Sequence, residues 1–400
     1  MSNVTELSLR QPQTLQPRTQ KPIAFLLLAV LVVGAVTLSV FGWRQSVLFL
    51  IGSLFGISLY HASFGFASSY RRLFIYGETK GVQAQVLMLI IATLLFAPIL
   101  TREAVFGQSM TGSVAPLAVQ GIVGAFIFGV GMQLGSGCAC GTLYTIGGGS
   151  SMMLLTLITF GIGSFWATLT GNWWSGLPQT EPLSLINMWG WTGIALQLFL
   201  LLLIAVALWF WGRKTGDNAP PPPPSVPPVP ASLLYGSWSI ALGAVALAVL
   251  NWLTLLISGR PWGVTWGFTL WTAKIAQALG WNPETSEFWS QGVGARTLNS
   301  SVFSDVISVM NFGIVIGAAL AAALAGRLLL KKPPSRLGIV AALIGGLLMG
   351  YGARIAFGCN VGAYFSGIAS TSLHGWLWIT FALLGTAIGV RLRPLFRLSN

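Results

Sequence analysis

Long apolar segments separated by short polar stretches make up almost the whole chain. Each is about 20 residues long, the length that an α-helix needs to cross a bilayer. Strands of a β-barrel would be about ten residues long with alternating polarity. The pattern therefore predicts an all-α polytopic membrane protein. The apolar segments are residues 22–41, 46–66, 82–100, 116–136, 152–170, 186–211, 233–257, 262–280, 302–330, 338–357 and 373–390.

The composition excludes an ordinary soluble protein. Hydrophobic residues make up 54% of the 400 residues and charged residues only 7%, whereas soluble domains carry about 25% charged residues. The net charge of +13 does not indicate nucleic acid, because the basic residues cluster at the ends of apolar segments. Such clusters are typical of topology signals that keep basic loops in the cytoplasm. We therefore expect a multi-pass membrane protein whose partner is the lipid bilayer.

Four regions are predicted. Residues 1–21 are mostly polar and form a cytoplasmic tail, and no cleaved signal peptide is evident because the first apolar segment is too long. Residues 22–211 form a first transmembrane half. Residues 212–232 form a linker whose proline run favours an extended spacer, and residues 233–400 form a second transmembrane half.

The two halves share a repeated motif. Gly-x-Gly followed by Gly-Cys-x-x-Gly occurs around Cys138 and again around Cys359, with the same spacing and no gap. A second match, Gly52-x-x-x-Gly56 with Gly259-x-x-x-Gly263, has a different offset between the halves. The basic clusters place the two cysteine loops on opposite sides of the membrane, which is typical of inverted repeats that meet at the bilayer centre. The two apolar segments within residues 233–280 agree with the sides assigned by the basic clusters only if one of them is re-entrant, entering and leaving the membrane on the same side. About nine to eleven full spans are therefore expected.

The cysteine loops are the candidate binding site. Glycines this dense break a helix, and irregular backbone at membrane depth is tolerated where it lines a cavity. Exposed backbone N–H groups favour an anion, and a thiol is a soft, weak hydrogen-bond donor. The combination favours a sulphur-containing anion. The candidate residues are Cys138, Cys140, Cys359, Gly137, Gly141, Gly358 and Gly362.

Other interpretations of the cysteines remain open. Each can be a small buried hydrophobic residue. Cys138-x-Cys140 can bind a soft metal such as Cu(I), although no Met or His cluster supports it, or exchange disulfides as part of a membrane thiol oxidoreductase or sulphurtransferase. A structural subunit is a further alternative. No nucleotide-binding motif or cofactor site is evident, and the expectation is a protein that is not an enzyme.

Three ionisable residues inside apolar segments are candidates for contact with an anion, since such residues are often functional. They are Arg354, which lies shortly before Cys359, Lys274, and His61. The alternatives are a side chain that extends to the membrane surface, or a packed histidine. Arg71 and Arg72 are more consistent with a topology signal.

Two further stretches, together with the two cysteine loops, resemble the YeeE/YedE sulphur-transport family. They are Arg260-Pro-Trp-Gly-Val-Thr-Trp-Gly-Phe-Thr-Leu-Trp-Thr-Ala-Lys274 and the segment from Phe64-Gly-Phe66 to Arg71. The resemblance covers nearly the whole chain outside the tail and linker. The resemblance implies an hourglass-shaped helical protein in which thiosulfate passes along cysteine thiols by transient hydrogen bonds. It also implies a small soluble sulphur-carrier partner of the TusA type. By position, Cys138 and Cys359 match the two loop cysteines of the family. A third family cysteine lies where this chain has Gly65, so another sulphur oxyanion or a selenium compound remains an alternative substrate to thiosulfate.

Overall fold

The structure is a computed structural model that describes residues 19–102, 104–105, 107–215, 233–236, 238–331 and 335–399. The predicted linker and nearly all of the predicted tail lie outside these residues. Helices make up almost all of the regular structure, which confirms the all-α class. Two small antiparallel strand pairs accompany them. The strands are β1 (Ala104–Val105), β2 (Gln108–Ser109), β3 (Pro116–Ala118) and β4 (Gln179–Pro182), paired β1 with β2 and β3 with β4.

The first half contains ten α-helices, and short ones alternate with long ones. They are α1 (Lys21–Leu38), α2 (Trp43–His61), α3 (Phe66–Tyr76), α4 (Lys80–Leu100), α5 (Val119–Leu134), α6 (Ala139–Gly147), α7 (Ser151–Leu169), α8 (Gly171–Ser175), α9 (Leu185–Trp189) and α10 (Trp191–Thr215).

The second half repeats this alternation and adds a π-helix. Its helices are α11 (Ile240–Ser258), α12 (Thr265–Ala278), α13 (Glu287–Ser290), α14 (Gly292–Asn299), α15 (Val306–Leu324), α16 (Arg336–Ile355), the π-helix Asn360–Phe365, α17 (Ser366–Ala369) and α18 (Leu373–Leu392). Short 3₁₀ turns occur at Ser39–Phe41, Pro283–Thr285, Val302–Ser304 and Arg393–Phe396.

Ten helical segments of the described chain are long and apolar enough to cross a membrane. The apolar segment 262–280 is not among them, because it forms only the 14-residue helix α12, which at 1.5 Å per residue is too short to span a bilayer. With only one spanning helix among the described residues of 233–280, the number of crossings agrees with the sides assigned by the basic clusters. Ten crossings return the chain to the side of the membrane from which α1 starts.

The helices of the two halves pack in exchanged pairs. α2 packs against α15, and α4 packs against α11; likewise α5 packs against α18, and α7 packs against α16. In the repeat, α2 corresponds to α11, α4 to α15, α5 to α16 and α7 to α18. The α2–α15 contact is then equivalent to the α11–α4 contact, and the α5–α18 contact is equivalent to the α16–α7 contact. The two halves are therefore interleaved around a common core.

The crossing of α5 and α16 shows how the halves are related. The backbone of Gly124 closely approaches that of Gly352, and Gly131 closely approaches Gly345. Because the residue numbers rise on one helix as they fall on the other, the two corresponding helices run antiparallel. Glycine permits this approach, since a Cβ at Gly124 would lie 2.6 Å from the carbonyl oxygen of Gly352. The first and second halves therefore run in opposite directions along this crossing.

The second sequence match, which pairs Gly52 and Gly56 with Gly259 and Gly263, is not a structural equivalence. Gly52 and Gly56 lie within α2, where they pack on the backbone of α15. Gly259, in contrast, ends α11 in the left-handed conformation with φ of 77°. Glycines occur at both places for different reasons, close helix packing in the first half and helix termination in the second.

Candidate functional site

The two cysteine loops have the same backbone turn at equivalent positions. After α5, Ser136 adopts a left-handed conformation with φ of 58°, and after α16, Phe357 does so with φ of 57°. Each of these residues stands two positions before its cysteine, so the turn is shared by both copies of the repeat. Each turn reverses the chain into the protein. Cys138 then becomes the N-cap of α6, and Cys359 the N-cap of the π-helix.

The first cysteine loop contains a close pair of thiols. The sulphur atoms of Cys138 and Cys140 lie 3.4 Å apart, and the Gly141 backbone N–H donates to the Cys138 sulphur at 3.4 Å. The exposed fractions of the two cysteines are 2% and 0%. Both thiols are free and buried.

The second cysteine loop is built differently on the same turn. Cys359 is a free thiol with an exposed fraction of 1%, and Val361 stands where the first loop has Cys140. Gly358 has φ of 152°, a conformation that Gly137 does not share. α6, which begins after Cys138, contacts the π-helix that begins after Cys359, and Cys359 is a neighbour of Cys138 and Cys140. The structure thus brings all three thiols together.

A cluster of buried polar side chains surrounds the thiols and was not predicted. The Tyr70 hydroxyl donates to Oε1 of Gln85 at 2.6 Å and lies near Cys138, Tyr364 and Asn360. Tyr144 lies near Cys138 and Cys140. The sequence feature that could have predicted this cluster is the presence of tyrosines and side-chain amides within apolar segments. Such polar side chains require hydrogen-bond partners when they are buried.

Gly65 lies at the edge of the same cluster. It is the N-cap of α3, and a Cβ at this position would lie 3.8 Å from the Tyr144 hydroxyl and much closer to the Ser68 side chain. Phe66, the next residue, packs its ring edge-on against Tyr364. Residue 65 therefore borders the thiol cluster, although this chain has no side chain there.

A cavity of about 830 Å³ reaches the second cysteine loop. It is lined by Gly358 and Gly362 on one side and by α12, α13 and α14 on the other. Arg354 lines it too, with its guanidinium 5.4 Å from the ring centre of Trp266 and 4.5 Å from that of Phe288. No hydrogen bond or ion pair of this guanidinium occurs among the described residues. Trp266 belongs to the stretch that carries the family resemblance.

Lys274 lies apart from the thiols. Its ammonium group donates to the carbonyl oxygens of Leu298 and Ser300 at 2.6 and 2.7 Å. These carbonyls are at the end of α14, where helices leave acceptors without partners and favour a cation. The contacts show Lys274 holding α14 in place.

His61 borders a separate cavity of about 290 Å³, together with Tyr60, Ser63 and Arg327. Its ring is buried, packs near Trp238, and leaves Nε2 without a hydrogen-bond partner among the described residues. The structure therefore does not bring His61 into the thiol cluster.

The far side of the first cysteine loop is closed by Arg393. Its guanidinium donates to the carbonyl oxygen of Gln133 at 2.5 Å and to the Ser136 hydroxyl at 3.3 Å. Arg71 lies near Arg393, and Arg72 forms an ion pair with Glu78. Within the described chain, no group of three or more His, Cys, Asp or Glu side chains could hold a metal ion.

Comparison with known proteins agrees with the resemblance. A model of the sulphur transport family matches residues 61–388. The thiosulfate transporter TsuA of Spirochaeta thermophila is 29% identical over 361 residues, which are 84% of this chain and 95% of that protein. TsuA of Escherichia coli is 26% identical over 356 residues, which are 84% of this chain and 91% of that protein. The probable transporter YedE of Salmonella typhimurium is 34% identical over 163 residues, 40% of each chain.

The family match covers most of the chain and includes both cysteine loops, the cavity and the crossing of α5 with α16. It is accompanied by ten helices long and apolar enough to cross a membrane among the described residues. The chain is a multi-pass membrane protein that belongs to the sulphur transport family.

Proposed function

We propose that this protein imports thiosulfate across a bacterial inner membrane by passing it between the thiols of Cys359 and Cys138, with Cys140 as an auxiliary thiol beside Cys138. The observation that carries the proposal is the grouping of three buried free thiols, from two opposed halves, next to a cavity with a cationic side chain. The family match supports transport of a sulphur anion. The names of the TsuA relatives support thiosulfate as that anion.

The cavity at Gly358 provides the entry. Thiosulfate carries two negative charges, and taking them out of water is costly unless a cation offsets them. Arg354 can do so, since its guanidinium lies over the rings of Trp266 and Phe288 and forms no ion pair among the described residues. Glu287 also lines the cavity but is not paired with Arg354. The same cavity is bordered by Gly362, where a Cβ would meet no atom within 4 Å. This open space is beside Cys359.

The thiols provide the path through the centre. An S–H group is a weak donor, so a thiosulfate held by one thiol is bound shallowly and can move to the next, as conduction through a chain of sites requires. Cys359 directly follows Gly358, which lines the cavity, and is therefore the first thiol on the proposed path. The Cys138–Cys140 pair on the opposed loop comes next. Arg71 and Arg393 lie beyond it, at the end where the basic clusters indicate the cytoplasm. A small soluble sulphur carrier of the TusA type is the proposed acceptor there.

Uptake by cysteine variants tests the proposal. We expect a bacterium that lacks other thiosulfate importers to grow on thiosulfate as sole sulphur source when it expresses the parent protein. Cys138→Ala and Cys359→Ala should each abolish this growth at equal protein abundance in the membrane. Cys138→Ser and Cys359→Ser should retain measurable uptake, because a hydroxyl still donates a hydrogen bond. Growth of both alanine variants at the parent rate would refute the relay.

The 3.4 Å separation of the Cys138 and Cys140 sulphurs also fits a thiol–disulfide function, which makes a different prediction. An oxidoreductase would cycle between two thiols and a disulfide during turnover, whereas the relay keeps all three thiols reduced. Acid quenching during thiosulfate uptake, followed by denaturation, alkylation and mass measurement, distinguishes them. We expect three alkylated cysteines at every time point, and accumulation of a Cys138–Cys140 disulfide would favour the oxidoreductase.

A further inference from the structure

Two amide side chains beside the thiols are buried with polar atoms that lack partners. Asn360 has an exposed fraction of 0%, and neither Nδ2 nor Oδ1 makes a hydrogen bond of good geometry among the described residues, although the Tyr70 hydroxyl is nearby. Gln85 is also fully buried, and its Nε2 lacks a partner in the same part of the chain although Oε1 accepts from Tyr70. Burying an unpaired polar group is costly. Such groups therefore require an explanation, and a polar ligand that visits the site is one.

Asn360 stands next to one thiol in sequence and is linked to another through Tyr70. It directly follows Cys359 and begins the π-helix, a rare form that is frequent at functional sites. Its side chain lies near the Tyr70 hydroxyl, and Tyr70 in turn lies near Cys138. Tyr364, on the same π-helix, is also near Tyr70. We name the four side chains Asn360, Tyr364, Tyr70 and Gln85 the amide–phenol cluster.

The repeat shows that the second loop supplies two polar members of this cluster that have no polar counterpart in the first loop. The residues equivalent to Asn360 and Tyr364 in the first half are Ala139 and Leu143, which are apolar. The first loop instead supplies the second thiol, Cys140. Soft sulphur groups therefore predominate on one loop, while N–H and O–H donors, which suit oxyanions, are added on the other.

We propose that the amide–phenol cluster binds the oxyanion end of an S–SO₃ dianion while the thiols contact its terminal sulphur, so that Asn360 determines selectivity for this class of anion. The inference rests on the proposed import of thiosulfate and names the residues that recognise it. A sulphate ion lacks the soft end, and thiocyanate lacks the oxyanion end. Each meets only part of the site.

The test is uptake of labelled thiosulfate into proteoliposomes by the Asn360→Leu variant, with thiocyanate as competitor. We expect the KM for thiosulfate to rise about tenfold, the effect of losing one hydrogen bond to a charged group. The inhibition constant of thiocyanate should stay within about twofold, because this anion makes no use of the amide. The ratio of the two constants therefore falls about tenfold. Asn360→Gln, which keeps the amide, should restore part of the ratio.

Thr386→Val is the matched control. Thr386 is fully buried in α18 and its hydroxyl lacks a partner among the described residues, as the Asn360 amide does, but it packs against Gly129 of α5. We expect its KM and its inhibition constant to equal those of the parent. An unchanged KM in Asn360→Leu, or an equal weakening of both anions, would overturn the selectivity role while leaving transport intact. Failure of the parent protein to take up thiosulfate would instead overturn the proposed function, and this inference with it.

Discussion

The two cysteine loops have one backbone design and two chemical environments. Ser136 and Phe357 make the same left-handed turn, and Cys138 and Cys359 cap the helical segments that follow. The first loop then begins an α-helix with a second thiol at Cys140, and Arg393 covers its turn. The second begins a π-helix with an amide and a phenol, and opens to the large cavity.

This difference shows how the two copies of an inverted repeat can acquire different chemical properties. Symmetry provides two equivalent places for a thiol at the centre of the membrane protein. The side chains around them break the symmetry, since Arg354 of the second half is matched by Gln133 in the first. The proposed steps of entry, recognition and exit would therefore fall on different loops.

The largest expected effect comes from the glycines that precede the two cysteines. Gly358 has φ of 152°, and a Cβ there would lie 2.8 Å from the Ala363 nitrogen. Gly358→Ala should therefore strain the loop by about 1–3 kcal/mol and reduce uptake at least tenfold. Gly137→Ala should be tolerated, because the nearest atom to its Cβ is the Met153 sulphur at 3.5 Å. Uptake rates normalised to membrane abundance measure both, and equal losses would show that the two loops have the same constraints.

The second prediction removes the charge difference between the loops. Arg354→Gln places in the second half the residue type that the first half has at Gln133. We expect the KM for thiosulfate to rise about tenfold and to become less sensitive to ionic strength, because a long-range attraction is lost. Arg354→Lys should keep most of the salt dependence. KM values for the parent and both variants at low and high salt provide the measurement, and an unchanged KM in Arg354→Gln would show that the cavity is not the entry.

The third prediction compares the glycines that follow the cysteines. A Cβ at Gly141 would lie 3.3 Å from the Cys138 sulphur, whereas one at Gly362 would meet nothing within 4 Å. Gly141→Ala should therefore displace the Cys138 thiol and slow uptake by about threefold, an overpacking effect of modest size. Gly362→Ala should leave the fold unchanged. If Gly362→Ala slows uptake more than Gly141→Ala does, the width of the space beside Cys359 limits uptake more than the position of the Cys138 thiol does.

The smallest effect is expected when the first loop is made like the second. Cys140→Val introduces the residue found at Val361, keeps an apolar side chain of similar size, and leaves the Gly141 N–H donating to Cys138. Uptake should stay within about twofold of the parent, since volume-conserving core changes cost little. A loss as complete as that expected for Cys138→Ala would show that Cys140 is an obligatory stop in the relay.

Much of the fold could be predicted from the local pattern of apolar and polar residues in the sequence. Apolar segments of about 20 residues predict spanning helices because a bilayer imposes that length, and the ten candidate spans of the described chain agree with the expected range of nine to eleven. The failure at residues 262–280 has a physical cause. Hydropathy does not distinguish a spanning helix from a short helix buried by its neighbours, and α12 is of the second kind.

The candidate site could be predicted from the sequence only in part. The cysteines were found because a rare residue recurred at a fixed offset beside glycines. Lys274 and His61 were selected by the same argument as Arg354, yet the structure gives Lys274 two carbonyl partners and places His61 in another cavity. Sequence position does not reveal whether a buried cation already has a partner.

Composition, segment length and spacing are enough to establish the membrane class, the repeat that relates Cys138 to Cys359, and the residues of the two cysteine loops. The packing of the helices was needed to show that the three thiols meet, that Asn360 and Tyr70 stand beside them, and that Arg354 faces a cavity. Those contacts join residues from opposite halves of the chain, which no local pattern can pair. They arise from the antiparallel crossing of α5 and α16, where glycine backbones pack too closely for any side chain.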